Sequence, residues 1–376
     1  MKRILNFDYY IAGITIALIF TGILMLASIS SVISQERFGN TTHYLFHQLM
    51  IGVIPGLILA TICSIIPIKY FKKMAWVLIL INLLLMILVF IPGLGVVSGG
   101  ASRWINLRFF TFQPSELLKL TFILYIATWF SSPLRKINKE AKKNLFKRGE
   151  NFKYTFVPFL AIGIVIAFLL AKQSDLSTLV VIAASGGIMY FSSGTPLWHI
   201  LLMLLIGGGG FVTLIKLASY RMKRIIVFLN PEFDPMGIGY QIKQILIGIG
   251  SGGIIGLGLG MSNQKFGFIP QIMSDSIFAI FSEETGFLGS SLLILLFAGF
   301  LFRSFRIGNR SQDMFSKLFA YGFSSWICIQ AFVNIGAMVG ILPLTGIPLP
   351  FISYGGSHVA VELIGVGIML NISKQS

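Results

Sequence analysis

Three of the chain's 13 acidic residues, Asp275, Glu283 and Glu284, lie within ten positions of one another in FGFIPQIMSDSIFAIFSEETGFLG (266–289). A positioned carboxylate of this kind can take the proton from a hydroxyl as that hydroxyl attacks an electrophilic carbon. Cations within reach would stabilise charge developing on a leaving group. Other stretches hold candidate cations of this kind: Arg221 and Arg224 in RMKR (221–224), and Arg103 in GGASRWINLRFF (99–110). Two more ionisable groups border apolar runs. Glu116 and Lys119 in QPSELLKL (113–120) are three apart, so on a helix they share a face and can pair. Asp175 in KQSDLST (172–178) opens an apolar run. Ionisable groups at membrane depth are costly and usually face a cavity. Each also has a plain structural reading. Asp275 could cap a helix starting near Ser276, Glu116 and Lys119 could lock two helices, Glu283 and Glu284 could pair with basic neighbours, and the arginines could be interfacial anchors.

The elements that must hold these groups are apolar. Of 376 residues, 55% are hydrophobic and 11% charged, and the mean hydropathy is +0.86. A soluble domain carries about 25% charged residues, so the solvent here is lipid. Apolar runs of the length that crosses about 30 Å of hydrocarbon fall at 9–33, 44–66, 74–97, 115–131, 155–171, 177–193, 197–217, 285–302, 318–340 and 356–373. An eleventh, QIKQILIGIGSGGIIGLGLGM (241–261), is rich in glycine, which costs about 1 kcal/mol per residue against alanine in a helix. It reads as backbone buried against other helices or re-entrant from one side. The expectation is an all-α polytopic membrane protein, one domain over 1–376 with about ten transmembrane helices.

Lys and Arg set the orientation. The segment 132–154 carries eight of them and is expected to be cytoplasmic. Counting spans from it places both termini inside and the long segment 218–284, between spans seven and eight, outside. In that segment Asn230-Pro231 and Asp234-Pro235 interrupt any continuous helix, so re-entrant or short helices are expected. Basic residues also remain in the outer segments, which implies an anionic ligand there.

Several chemistries are disfavoured. Gly248, Gly250 and Gly253 match a dinucleotide fingerprint without its strand–helix–strand context. Cys63 and Cys328 both sit in apolar runs, and the four histidines have no ligand spacing. The net charge of +16 is explained by anionic membrane lipids rather than nucleic acid. The outer carboxylates could hold a divalent cation, although no ligand spacing compels one. From residue types alone, transfer of a sugar from a lipid-linked pyrophosphate is one option among several.

Five stretches narrow the choice: QPSELLKL (113–120), NPEFDPMGIGYQ (230–241), IGSGGIIGLGLG (249–260), SDSIFAIFSEETGFLG (274–289) and LPLTGIPLPFISYGGS (342–357). Together, and in this order, they resemble the SEDS family of FtsW, RodA and SpoVE proteins, and the resemblance runs over nearly the whole chain. It implies a ten-span peptidoglycan glycosyltransferase of the bacterial cytoplasmic membrane, with its active site outside. Such enzymes polymerise lipid II, release undecaprenyl pyrophosphate and work with a class B penicillin-binding protein in cell division, elongation or sporulation. By the same resemblance the family's essential aspartate falls on Asp275, and its other polar groups fall on Glu116, Lys119 and Asp175. MSNQKFGFIP (261–270) leans toward the FtsW branch. The chain departs from the family pattern at Gln271, Ser276, Ser174, Ser177 and His358, which touches specificity and cavity shape rather than class.

Two other classes of function compete with the enzyme. A flippase for the same lipid-linked sugar would need polar contacts across the whole bilayer, yet the inner halves of the spans carry little charge. A scaffold that recruits wall synthases would need none of the outer carboxylates.

Overall fold

Eight helices among the described residues are long and apolar enough to cross a membrane. The computed structural model describes residues 7–98, 101–108, 110–132, 152–266, 270 and 272–375. Lys2, Arg3, Gln271 and nearly all of the basic segment 132–154 lie outside these described residues.

Helix α1 (Tyr9–Phe38) starts where Asp8 accepts the amides of Tyr10 and Ile11, and it stops at Gly39 with a left-handed φ of 67°. There follow α2 (His43–Ile65), which includes a π-helical turn at Leu49–Val53, and α3 (Ile68–Leu88). Next come α4 (Pro114–Ser131), α5 (Phe152–Lys172), α6 (Leu176–Ser192) and α7 (His199–Lys216). Two shorter helices, α8 (Ser219–Leu229) and α9 (Ile238–Ser251), lie within the segment expected to be a large loop. The chain ends with α10 (Ile277–Arg310), α11 (Met314–Met338) and α12 (Gly356–Ser373). The protein is therefore a helical, multi-pass membrane protein.

Burial sorts the helices by role. In the most apolar stretch of α11, 78% of residues are buried, against 6% for α7. The first is a core helix, and the second is left almost uncovered by the rest of the protein. Helix α12 packs onto α2 through small residues: a Cβ on Gly367 would overlap the Ala60 carbonyl, and one on Gly56 would press on Ala360 and Leu363. Close backbone approach of this kind drives helix association where lipid removes the hydrophobic term. α4 carries Glu116 and Lys119 through the middle of the bundle with both side chains buried.

Two local expectations differ from the structure. The third apolar run was expected to be helical to residue 97, but α3 ends at Leu88 and the chain turns at Pro92-Gly93. Beyond it, β1 (Gly95–Ser98), β2 (Ala101–Asn106) and β3 (Thr111–Phe112) form a small antiparallel sheet in the order β1-β2-β3. Pro92 has no amide to continue the helix, and the β-branched Val96 and Val97 suit a strand. The eighth span begins at Ile277 rather than near 285, because the acidic segment is itself helical.

That segment is interrupted once. Gly286 has φ 67° and ψ −165°, a conformation open only to glycine, and it kinks α10. The break leaves backbone groups unpaired, and the glycine tract pairs them. The amides of Leu257 and Gly258 donate to the carbonyls of Glu283 and Glu284, and those of Phe287 and Leu288 donate to the carbonyls of Gly253 and Ile254. Side chains could not fit here: a Cβ on Gly286 would lie 2.4 Å from the Gly256 amide nitrogen. The glycines of 241–261 therefore end a helix at Ser251 and then form a backbone splint on α10, which is the buried-backbone reading in concrete form.

Candidate active site

Asp275 sits two residues ahead of α10 and is half-buried. It does not cap that helix, whose N-cap is Ser276 with no side-chain cap bond. Its surroundings hold it from three sides. The Asn334 side chain on α11 donates to the Asp275 carbonyl at 2.8 Å. Ser353 Oγ donates to the Ser274 carbonyl at 2.5 Å, and the Tyr354 amide donates to the Met273 carbonyl at 2.9 Å. The carboxylate faces the backbone of Gly346, whose absent Cβ would lie 3.1 Å from Asp275 Oδ2.

The strap 342–355 that supplies these contacts has little regular structure of its own. Pro343, Pro348 and Pro350 remove three amide donors, so fewer groups need partners at this depth. Its carbonyls and amides are pinned by side chains from the bundle. Gln330 donates to Pro348 O (3.0 Å), Asn334 to Ile347 O (2.7 Å) and Ser177 to Thr345 O (2.8 Å). Glu362 accepts the Phe351 amide at 2.7 Å, and Phe351 is held at a left-handed φ of 62°.

Two cations reach the same region. Arg224, from α8, donates to the carbonyls of Leu344 (3.3 Å) and Thr345 (3.2 Å). Arg103, from β2, donates to the carbonyls of Gln173 (3.0 Å) and Ser174. A guanidinium has five donors, so these contacts leave some of each fork for a ligand. Burial raises the Asp275 pKa above the ordinary aspartate value, and it outweighs the Ser274 hydrogen bond and the charges of Arg224 and Arg103, which pull it down. Burial likewise lowers the pKa of Arg224, while Tyr220 and Asp275 act against it. Arg221 is placed differently. It donates to the carbonyls of Leu214 (2.7 Å) and Ala171 (3.3 Å) and to Tyr220 Oη (2.8 Å), tying α8 to the ends of α5 and α7.

Beneath the strap lies a second polar group. Glu116 and Lys119 form the expected pair at 2.7 Å, both side chains almost fully buried. Lys119 also donates to Gln330 Oε1 at 2.8 Å and lies over the Trp326 ring. His358 Nδ1 is 2.8 Å from Glu116 Oε2, and its Nε2 is 3.1 Å from Glu362 Oε1. The Lys119–Glu116–His358–Glu362 chain therefore joins α4 to α12, and through Gln330 and Glu362 it holds the strap. Asp175 is separate. It caps α6 by accepting the Thr178 amide (3.2 Å) and also accepts the hydroxyls of Thr178 (2.9 Å) and Ser115 (3.1 Å).

Sequence reasoning missed Gln330, Asn334 and Glu362. The spacing of His358 and Glu362 four apart on a helix was a usable signal, whereas Gln330 and Asn334 lie in an apolar run with nothing to mark them. The pairing of Glu283 and Glu284 with basic neighbours is not what the fold provides. Glu283 accepts the Ser262 hydroxyl and the amides of Asn263 (3.1 Å) and Gln264 (3.4 Å), while Glu284 accepts the Ser28 hydroxyl (2.9 Å). Among the described residues neither has a cation within ion-pair distance, because helical burial turns both toward the glycine splint and α1. Nor do the described residues contain a cluster of three His, Cys, Asp or Glu able to hold a metal ion.

The same arrangement of helices is found elsewhere. A chain of a solved peptidoglycan synthase complex that coordinates polymerization and crosslinking superposes with a TM-score of 0.77 at 24% identity, covering 98% of both chains. The rod shape determining protein RodA of Thermus thermophilus superposes at 0.70 and 24% identity, covering 98% of this chain and 97% of that one. In sequence, the chain is 38% identical over 371 residues to stage V sporulation protein E of Bacillus subtilis, covering 98% of this chain and 97% of the relative. It is 37% identical over 374 residues to a probable peptidoglycan glycosyltransferase FtsW of Coxiella burnetii, covering 99% and 97%. The family of cell cycle proteins that unites FtsW, RodA and SpoVE matches residues 9–376. With the sequence motifs, the helical frame and the match all running end to end, this chain belongs to the FtsW/RodA/SpoVE family.

Proposed function

We propose that the protein is a peptidoglycan glycosyltransferase that transfers the disaccharide-peptide of lipid II onto a growing glycan strand outside the cytoplasmic membrane. The observation that carries this reading is Asp275, a carboxylate with a raised pKa, set against the proline-rich strap within the field of two half-buried arginines, Arg224 and Arg103. A general base works best when its pKa lies near the operating pH, and burial moves Asp275 in that direction. The acceptor hydroxyl attacks the anomeric carbon and gives its proton to Asp275. The bond from that carbon to the pyrophosphate oxygen breaks, and undecaprenyl pyrophosphate leaves. Arg103 and Arg224 keep donors free to stabilise the charge that grows on it. Arg221 holds α8, and so helps aim Arg224. Glu116, Lys119 and Asp175 support the strap and the helix ends around the substrate, rather than touching the reacting atoms.

The same reading gives the chain ten spans, the eight helices long and apolar enough to cross together with α4 and α6. Both termini and 132–154 are inside, and 218–284 is outside. A class B penicillin-binding protein is the expected partner, since relatives of this fold include a peptidoglycan synthase complex. The FtsW and SpoVE relatives favour a role in division or sporulation. The test uses purified protein with its partner synthase and lipid II in detergent, with glycan chains resolved on a gel. Asp275→Asn should insert normally and make no polymer. Movement of lipid II across vesicles by a protein that makes no polymer would instead establish a flippase.

A further inference from the structure

At the opposite end of α10 from Asp275 is a cleft of about 210 Å³, lined by Phe7, Asp8, Tyr10, Arg303, Arg306 and Arg310 among others. The volume far exceeds the ~10–15 Å³ that one water requires. The three arginines follow i, i+3, i+7 spacing and so share one face of α10. Among the described residues only one of them has an acidic partner. Asp8 Oδ2 accepts both Nη2 (2.6 Å) and Nε (2.7 Å) of Arg303, while Asp8 Oδ1 accepts the Tyr10 and Ile11 amides at the start of α1, so both oxygens of that carboxylate are already engaged. Arg303 also stacks on the Tyr10 ring at 4.6 Å, which fixes its position. Arg306 and Arg310 are exposed and have no ion-pair partner among the described residues. The cleft is thus a preformed concavity with two uncommitted guanidinium groups.

Its depth identifies the ligand. Tyr9 and Tyr10 are 63% and 69% exposed at the start of α1, as aromatics are at a membrane interface. One turn inward, Phe302 is 70% exposed and apolar, as a lipid-facing residue would be. We infer that this cleft binds the phosphate headgroup of an anionic phospholipid in the leaflet opposite Asp275, with Arg306 and Arg310 on the phosphate and the acyl chains running along Phe302. The inference is independent of the catalytic reading, because it uses no residue of the Asp275 region.

The test is native mass spectrometry of the full chain in detergent, titrated with phosphatidylglycerol or with phosphatidylcholine. The wild type should retain phosphatidylglycerol in preference to phosphatidylcholine. Basic residues at an anionic membrane surface contribute about 1 kcal/mol each. Arg306→Gln with Arg310→Gln should therefore weaken binding about 30-fold, equivalent to about 2 kcal/mol at 1.4 kcal/mol per decade. The single Arg310→Gln, at the last residue of α10, should cost about 5-fold and guards against a double variant that fails to fold. Lys153→Gln, which removes one charge elsewhere, should leave binding unchanged. Equal retention of phosphatidylglycerol by wild type and both arginine variants would overturn the inference. So would displacement of the lipid by millimolar inorganic phosphate, which would assign the cleft to a soluble anion.

Discussion

Gly346 offers a sharp probe of the site, because one added methyl group would press directly on the carboxylate. In Gly346→Ala the new Cβ would lie 3.1 Å from Asp275 Oδ2, a few tenths of an ångström inside comfortable contact. The residue's φ of 70° adds a backbone cost of about 1–2 kcal/mol for any L-residue. The strap cannot easily retreat, since Thr345 O is held by Arg224 and Ser177 and Ile347 O by Asn334. The carboxylate must therefore turn. A misplacement of about 1 Å in a catalytic group can cost roughly 100-fold in rate, so a shift of a few tenths should cost about 10-fold. Gly340→Ala is the matched control: its φ is 77°, and its nearest neighbour is Leu246 Cδ2 at 3.9 Å. Both variants should lose similar thermal stability, followed by thermal shift in detergent, but only Gly346→Ala should lose polymerisation of lipid II. Equal activity in the two variants would refute the placement of Asp275 at the reacting centre.

Other consequences follow from the same geometry. Because burial raises the Asp275 pKa, activity should begin to fall with acidification at a higher pH than the ~3.9 of an ordinary aspartate. Arg224→Gln removes a charge that favours the ionised form, so a pH–rate profile should show its acid limb moved further upward. Lys119→Met leaves Glu116 with only His358 as a counter-charge in the bundle core, and loss of one partner of a buried pair costs about 3–5 kcal/mol. Thermal unfolding should report it as a strong destabilisation with loss of folded yield. Gly286→Ala would drive a Cβ into the Gly256 backbone and break the splint, so size-exclusion profiles should show misassembled protein, whereas Gly250→Ala, with open space around it, should behave as wild type.

Much of this architecture was legible because hydropathy fixes where helices must lie in lipid. The runs 9–33, 155–171, 197–217, 318–340 and 356–373 all fall on observed helices, and Glu116 and Lys119 pair as their spacing requires. What escaped depends on contacts between distant segments. The turn at Pro92-Gly93 looks like a continuing apolar span until the valines after it pair as a strand. The glycine tract reads as a weak helix because its purpose, pairing the backbone at the Gly286 kink, lies some thirty residues downstream. Gln330 and Asn334 pin a strap that is near them in sequence but has no pattern of its own. Ser177 bonds Thr345, and His358 lies between Glu116 and Glu362, so both residues have a structural role that their place in the sequence does not disclose. Arg103 and Arg224 stand out in the sequence as candidate ligand-binding cations, but their approach to Asp275 depends on tertiary structure, since they are 172 and 51 residues away from it in sequence.

The most direct measurement compares wild type with Asp275→Asn, each purified with the partner synthase and supplied with lipid II, by the length and amount of glycan produced. The substitution keeps the shape and the backbone contacts of residue 275 while removing its basicity. Asp275→Asn should give correctly inserted, thermally stable protein that makes no polymer. Glycan from the variant at the wild-type rate would contradict this expectation.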